Sequence, residues 1–243
     1  MKKQLGPSDS IFPVPAALIV SGENEDANII TIARIGIPSP TPPTIGISVK
    51  KSRYSLGLIR KTNEFSVNIP PASLFKKVDY CGIATGRDRN KFEDTGFTPM
   101  ESSKIKPPII KECPYNIECK VIHDVMFGDW ALIMGEIVET HIDEDKADAS
   151  KYMGIDISKI NPLVYCARDR EYRTIGNMLG IGLKAGKAIE EELLKRHLVL
   201  TDHFQLRLDG PGVVAAVGGD AGYPFSGYQI LQLLHMGVIR GID

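Results

Sequence analysis

Short hydrophobic runs separated by polar turns dominate the first two-thirds of the chain. Residues 16–21 (AALIVS) are almost entirely apolar, and residues 28–35 (NIITIARI) are rich in β-branched side chains. Both patterns are typical of strands, and the polar turn between them predicts an antiparallel pair. Residues 44–50 (TIGISVK) predict the next strand. In residues 64–69 (EFSVNI) the alternation of apolar and polar positions predicts another.

Two longer strand-like segments follow, at residues 117–125 and 130–142, and their short separation predicts a long hairpin. Residues 163–167 predict one further strand. The prolines of residues 38–43 (PSPTPP) exclude a helix or a central strand because proline has no amide donor, so we expect an extended or turning loop there. About seven strands without regular strand–helix alternation predict a mainly β fold with short helices, as an antiparallel barrel or sandwich.

Helical patterns are brief until near the end of the chain. Residues 55–61 predict a short helix with Ser55 as its N-cap, and residues 73–80 predict a second one. The polar turn of residues 86–92 (GRDRNKF) is expected to lead into a helical turn. Residues 181–198 carry a charged face at helical spacing and predict a longer helix.

Composition changes after residue 200. Residues 201–243 contain no Lys and no Glu, yet they hold 8 of the 23 glycines. We therefore predict one main domain over residues 1–200. Residues 201–243 are expected to form an atypical glycine-rich tail without a part in the chemistry.

Charge and hydropathy exclude several classes of protein. The formal net charge is -1, which gives no reason to expect a nucleic-acid or anionic-membrane partner. Pro13 and Pro15 interrupt the apolar run near the N-terminus, and no apolar run approaches the roughly 20 residues of a membrane helix. We therefore expect a cytoplasmic protein with neither kind of partner.

The sequence offers little for metal or nucleophilic chemistry. The closest two of the four cysteines, Cys113 and Cys119, lack the spacing of zinc or dithiol motifs, so all four are expected to be reduced and mostly buried. The five histidines are scattered, and the glycines at 176, 180 and 182 have the wrong spacing for a dinucleotide motif. We predict no metal site and no catalytic side chain.

The most informative polar segment is residues 50–55 (KKSRYS), which combines cations and hydroxyls where a strand ends and a helix begins. The unpaired amides and positive dipole of a helix start favour bound phosphate. Arg53 would bind a phosphate bidentately, and Ser52 or Ser55 would donate a hydrogen bond. The alternative is a solvated basic turn.

Other segments accompany it in a characteristic order: PAALIVS, NIITIA, SPTPPTIGISV, RYS, EFSVN and CGIATGRDRNKF. In order and spacing, over roughly residues 10–190, the chain resembles the flavin-reductase-like family, especially its flavoredoxin branch. The resemblance implies an FMN-binding split β-barrel, a Greek-key-like antiparallel barrel. It also implies a homodimer with the flavin near the subunit interface.

The resemblance further implies which residues contact FMN. The isoalloxazine ring would be bordered by Asn28, Thr31 and Ala33. The phosphate and ribityl chain would be surrounded by Ser48, Arg53, Tyr54 and Ser55. The pocket would be completed by Asn68, Gly86 and Lys91. Alternatives remain for several of these: an ordinary strand residue for Thr31, a core aromatic for Tyr54, a solvent-facing amide for Asn68 and a surface lysine for Lys91.

One hairpin departs from the family's pattern. Many flavin reductases of this superfamily carry a Gly-Asp-His motif there, whereas this chain has Gly128, Asp129 and Trp130. In those reductases the histidine lies near the nicotinamide side of the flavin, so its absence argues against efficient use of NAD(P)H. We expect Trp130 to pack in the core, with a dimer interface or the flavin as alternatives.

The sequence thus predicts an FMN-dependent oxidoreductase of flavoredoxin type. It would take electrons from NAD(P)H or a redox protein and pass them to flavin, a metal complex or another redox protein. The flavin would perform the chemistry, and the protein would set its potential and access. Two alternatives stay open: an NAD(P)H:flavin reductase component, and a non-catalytic flavin-binding storage or sensor protein.

Overall fold

Antiparallel strands make up most of this computed structural model, which describes residues 1–9, 11–151, 153–193, 205–208 and 214–217. The strands are β1 (Val14–Pro15), β2 (Ala17–Ser21), β3 (Asn28–Ile32), β4 (Ile35–Pro40), β5 (Pro43–Lys50), β6 (Glu64–Ile69), β7 (Pro99–Met100), β8 (Ile109–Ile110), β9 (Tyr115–Phe127), β10 (Trp130–Ile142), β11 (Leu163–Cys166), β12 (Glu171–Thr174), β13 (Gln205–Leu208) and β14 (Val214–Val217). The α-helices are α1 (Tyr54–Thr62), α2 (Phe75–Ile83), α3 (Lys91–Thr95) and α4 (Ile157–Ile160), and residues 187–193 are also helical.

Seven strands form the main sheet, in the order β3-β2-β6-β9-β10-β5-β4. Its two edge strands, β3 and β4, follow each other in the chain. Only two residues separate the end of β3 from the start of β4, and the carbonyl of one of them, Arg34, accepts a hydrogen bond of 2.9 Å from the Ser48 amide of β5. The sheet therefore curls until its edges meet, as the predicted mainly β split barrel requires.

The strand β2 is buried on both faces, which explains its unbroken apolar sequence. Ile19 points into the barrel with Ile47, Phe65 and Ile133. Its neighbours Leu18 and Val20 face the opposite side and belong to a second buried cluster. That cluster also contains Ile29, Val78, Cys81 and Phe92, so α2 and α3 pack on the outside of the barrel.

The proline-rich segment is a strand where a loop was predicted. Residues Ile35–Pro40 form the edge strand β4, with a register irregularity between Gly36 and Ser39. An edge position tolerates proline because the missing amide faces away from the neighbouring strand. The exclusion of a central strand therefore holds. The expectation of a loop is wrong for residues 38–40 and confirmed for the turn at residues 41–42.

The start of α1 also differs from the prediction. Its N-cap is Arg53, and Ser55 lies inside the first turn. No side chain in the described part of the chain caps this helix start, whereas Asn90 caps α3 by accepting hydrogen bonds from the Phe92 and Glu93 amides. The predicted helical turn after the GRDRNKF turn is confirmed, as is the long β9–β10 hairpin.

The C-terminal part is described only in pieces. Residues 1–176 and 177–243 form two separate units. In the second unit, residues 187–193 are helical within the predicted helix at 181–198, and residues 194–198 lie outside the described ranges. β13 and β14 pair with each other. The domain boundary at residue 200 and the role of residues 201–243 stay predictions.

The cysteine prediction is confirmed: all four are free, Cys81, Cys113 and Cys119 are buried, and Cys166 is half-buried. The described ranges contain no group of three or more acidic, His or Cys side chains placed to hold a metal ion. Among the helices within those ranges, none is long and apolar enough to cross a membrane.

Candidate functional site

A cavity of about 490 Å³ lies where three segments of the barrel domain meet. Its floor comes from β3, through Asn28 and Ile30. One wall is the corner of residues 50–55, where β5 ends and α1 begins. The opposite wall is the loop of residues 84–91, between α2 and α3. We call this space the corner cavity.

A buried hydrogen bond ties the floor to the corner wall. The Asn28 side-chain amide donates to the Ser55 hydroxyl at 2.7 Å, and both residues are buried. Because Ser55 belongs to the first turn of α1, this bond fixes the helix start against β3. The predicted residues Asn28 and Ser55 therefore shape the cavity together.

Gly86 brings the loop wall into direct contact with the floor. A β-carbon on residue 86 would lie 2.1 Å from Asn28 Oδ1 and 2.8 Å from Tyr54 Cδ1, both far closer than atoms can approach. Only glycine permits this approach without moving the neighbouring side chains. Gly86 therefore lets the loop close against Asn28 and Tyr54.

The corner wall presents an uncapped helix start. α1 begins after Arg53, and no side chain accepts hydrogen bonds from its first amides. These amides and the helix dipole favour an anion. Within the described ranges, the exposed Arg53 guanidinium forms neither an ion pair nor a side-chain hydrogen bond. It is therefore available to an anionic ligand in the cavity.

Lys91 is a buried cation in the loop wall. Its side chain is only 3 % exposed, and Nζ donates to the carbonyl oxygens of Ile29 at 2.7 Å and Cys81 at 2.9 Å. Burial lowers the pKa of Lys91 to about 8; the Cys81 thiol opposes this change and Arg53 adds to it. An ammonium has three donors, so one N–H of Lys91 is left for a ligand.

Cationic side chains outnumber acidic ones around the corner cavity. The cavity is lined by Lys50, Arg53, Arg87 and Lys91, and Asp88 is the one carboxylate among the described residues that line it. The Arg87 Nη1 donates to the Ser52 carbonyl at 3.2 Å. The arrangement favours an anionic ligand with a polar chain.

Six of the ten predicted residues line the corner cavity: Asn28, Arg53, Tyr54, Ser55, Gly86 and Lys91. The prediction missed Lys50 and Arg87. Lys50 lies in the basic segment of residues 50–55, which the sequence predicts to bind phosphate. Arg87 lies next to Gly86 in the GRDRNKF segment, and this adjacency was the available signal.

Asn68 is a correction, because the structure places it away from the cavity. Its side chain is fully buried, and its amide donates to the Leu18 carbonyl at 3.1 Å. Its Oδ1 accepts hydrogen bonds from the Ile110 amide and the Asn116 side chain. These contacts join β6 to β2, β8 and β9, so the Asn68 side chain is enclosed in the protein and does not line the corner cavity.

The other three predicted residues also lie outside the cavity lining. The Thr31 hydroxyl donates to the Val78 carbonyl of α2, which gives it a packing role between β3 and α2. Ser48 and Ala33 are half-buried. Ser48 lies two residues before Lys50 and so shares its face of β5. Contact of Ala33 and Ser48 with a ring that extends beyond the cavity stays a prediction.

Trp130 is not a core residue, contrary to the expectation. It is half-buried, and the Arg34 guanidinium carbon lies 4.5 Å from its ring centroid. Trp130 pairs in register with Lys50, and the preceding Asp129 forms an ion pair of 2.6 Å with Lys51. This hairpin end therefore lies beside the corner cavity.

Comparisons with known proteins agree with this fold. Residues 9–176 match the model of the family described as flavin reductase like domain. The flavoredoxin of Desulfovibrio vulgaris (Miyazaki F) is 31% identical, with a TM-score of 0.71, over 76% of this chain and 100% of that chain. The flavoredoxin of Methanosarcina acetivorans is 30% identical, with a TM-score of 0.70, over 78% and 100%. An uncharacterized protein of Archaeoglobus fulgidus is 39% identical over 137 residues, which cover 56% of this chain and 77% of that protein.

Proposed function

This chain belongs to the flavin reductase-like family, and we propose that it is an FMN-binding electron carrier of flavoredoxin type. A flavin-related oxidoreductase role follows from the family and from its similarity to two flavoredoxins. The observation that supports FMN in particular is the corner cavity. Its volume is large enough for a phosphorylated chain, and the buried Lys91 ammonium lies in one wall. The other wall holds the Arg53 guanidinium and the first amides of α1, neither of which has a side-chain partner among the described residues.

The residues present fit the phosphate end of FMN. Lys91 is held by two carbonyl groups and has no carboxylate partner within the described ranges, so it keeps a donor for a phosphate oxygen. Arg53 and the first amides of α1 offer further donors from the facing wall. Gly86 keeps the loop close enough for both walls to reach one ligand.

The bound flavin would supply the hydride and single-electron chemistry, and the chain would bind and orient it. Ser48 and Lys50 lie on the outer face of β5. This face is next to Trp130, which pairs in register with Lys50, and Arg34 packs on the Trp130 ring. We propose that the ring lies along this face. Backbone amides or a cation near the ring's N1 and C2 carbonyl would raise its potential.

We favour a redox protein over NAD(P)H as the electron donor. The hairpin position of the family's histidine holds Trp130, which Arg34 covers. Measuring NADH and NADPH oxidation with added FMN tests this choice: negligible turnover supports the carrier, and rapid turnover supports a flavin reductase. If the dithionite-reduced protein transfers electrons to no acceptor, the storage or sensor alternative replaces both.

We also propose a homodimer. β9 pairs with β6 as far as Lys120, and the Val121 amide still donates to the Asn63 carbonyl at 2.8 Å. From residue 122 onward, β10 is the one strand that pairs with β9 among the described residues. This free edge exposes Ile122, Val125, Met126 and Phe127. Exposed apolar strand edges favour pairing with another chain. Light scattering on the purified protein measures the mass, and a monomer contradicts the proposal.

The cytoplasm is the compartment that we propose for this protein. All four cysteines are free, a state that reducing compartments maintain. Labelling of free thiols in freshly lysed cells tests this, and cysteines found paired with other thiols would argue against it.

A further inference from the structure

Arg87 connects the two walls of the corner cavity. It belongs to the loop wall, yet its Nη1 donates to the carbonyl oxygen of Ser52 at 3.2 Å, in the corner wall 35 residues away in sequence. Its guanidinium carbon also lies 5.8 Å from the ring centroid of Tyr54. The Arg87 side chain therefore bridges the gap between the 84–91 loop and the 50–55 corner.

Most of the hydrogen-bonding capacity of Arg87 is unused. A guanidinium has five N–H donors. One of them bonds to Ser52, and no carboxylate in the described part of the chain forms an ion pair with Arg87. The planar fork of arginine matches the oxygens of a phosphate. Arg87 is therefore able to keep its bridge to Ser52 while it donates to a ligand in the cavity.

Arg87 shares the corner cavity with two other cations. Gly86 is held against Asn28 and Tyr54, which fixes the backbone just before Arg87. Arg53 approaches the same cavity from the start of α1, and Lys91 from the start of α3. Cations from both walls of the cavity thus line one volume. A terminal phosphate, with a charge of about −1.5 to −2 at pH 7, matches such a site.

We propose that Arg87 selects a terminal phosphomonoester, and thereby FMN over FAD. In FAD the same phosphate is bridging: it has one ionisable oxygen fewer, and a second phosphate and an adenosine must continue from it. The Arg87–Ser52 bridge closes the gap between the loop and the corner, so this continuation would have to displace it. The inference rests on the proposed function, because it requires the flavin phosphate to bind in the corner cavity.

The test compares three flavins and three proteins. Dissociation constants for FMN, FAD and riboflavin are measured by fluorescence titration with the unmodified chain, Arg87→Gln and Arg89→Gln. Arg89 is the matched control, because it is an exposed arginine of the same loop that does not line the cavity. Riboflavin has no phosphate, so it reports any general damage to the site within each variant.

We expect the unmodified chain and Arg89→Gln to prefer FMN over FAD by the same factor. In Arg87→Gln, FMN affinity should fall about tenfold or more, FAD affinity should fall less, and riboflavin affinity should stay unchanged. An unchanged FMN-to-FAD ratio in Arg87→Gln, or an equal loss for all three flavins, overturns the inference. If the unmodified chain binds none of the flavins, the proposed function itself fails, which is a distinguishable result.

Discussion

Gly86 lies so close to Asn28 that a β-carbon on residue 86 would lie 2.1 Å from the Asn28 side-chain oxygen. This contact joins the loop wall of the corner cavity to β3. The Asn28–Ser55 hydrogen bond continues it to the first turn of α1. The shape of the cavity thus depends on a position that carries no functional group of its own.

Replacing Gly86 with Ala should weaken FMN binding, because Asn28 and Tyr54 must move to admit the methyl group. We expect at least a tenfold rise in the FMN dissociation constant, on the order of 1.4 kcal/mol or more. Calorimetric titration measures it. The matched control is Gly57→Ala in α1, where an added β-carbon meets nothing within 4 Å.

The control has its own expected result. An exposed helical glycine replaced by alanine should stabilise the protein by about 0.5–1 kcal/mol and leave FMN affinity unchanged. Equal FMN affinities for Gly86→Ala and the unmodified chain would show that the close approach does not shape the ligand site.

FMN affinity should depend on pH through Lys91. Its pKa in the free protein is lowered to about 8, and a bound phosphate would raise it again because the charged form donates to the phosphate. Above pH 8, binding must therefore take up a proton, and the dissociation constant should rise by up to about tenfold per pH unit. Titrations between pH 7 and 9.5 measure this slope.

Two controls identify the group responsible for the pH dependence of FMN binding. The phosphate's own second pKa, about 6, lies below this range, so the ligand charge stays constant. Lys91→Met should bind FMN weakly with a flat profile, and riboflavin should show little slope with the unmodified chain. A slope that persists in Lys91→Met assigns the titration to another group.

Arg53→Ala should weaken retention of FMN by about 1.5–3 kcal/mol, the range for hydrogen bonds to charged groups. Equilibrium dialysis provides the measurement. Lys61→Ala is the control, because Lys61 lies at the far end of α1, where it forms an exposed ion pair with Asp26. An FMN dissociation constant in Arg53→Ala equal to that of Lys61→Ala removes Arg53 from the phosphate site.

Much of the fold follows from local patterns, and the exceptions have physical causes. Alternation in β6 correctly places Phe65 and Val67 on one face and Asn68 on the other. It does not reveal what covers the second face. The Ile110 amide and Asn116 meet Asn68 there, and both come from segments more than 40 residues later. The sequence therefore predicts a ligand contact for Asn68, whereas its hydrogen bonds lie in the protein core.

The candidate site, too, is predictable from the sequence only in part. The corner of residues 50–55 was recognisable because cations and hydroxyls coincide at a strand end. Arg87 offered a weaker signal, its adjacency to Gly86, because an arginine in a polar turn is typical of any surface. Its significance depends on its bridge to Ser52, which only the folded chain reveals.

The buried Glu118 should control stability at low pH. Its fully buried carboxylate accepts hydrogen bonds from the amides of Ser103, Lys104 and Ile105, and it lies 2.6 Å from His141 Nε2. Burial alone would raise the pKa of Glu118, but these hydrogen bonds lower it below its ordinary value of 4.5. The stability from this carboxylate is therefore present above pH 4.5 and lost as the pH falls through the lowered pKa.

Urea unfolding of Glu118→Gln should show a loss of about 2–4 kcal/mol at pH 7, because an amide NH₂ would face backbone donors. The exposed Glu136 of β10 provides the control, and Glu136→Gln should change stability by less than about 0.5 kcal/mol. In Glu118→Gln the acid-dependent loss of stability should also be smaller. Similar stabilities for the two variants would contradict a structural role for the buried carboxylate.

The central claim is that the corner cavity holds the phosphate of FMN, and a competition titration tests it most directly. Purified chain stripped of ligand is titrated with FMN and with riboflavin, each with and without inorganic phosphate. We predict one FMN per chain, tighter binding of FMN than of riboflavin, and competition by phosphate against FMN alone. Equal affinity for FMN and riboflavin, or no uptake of either, would contradict the account.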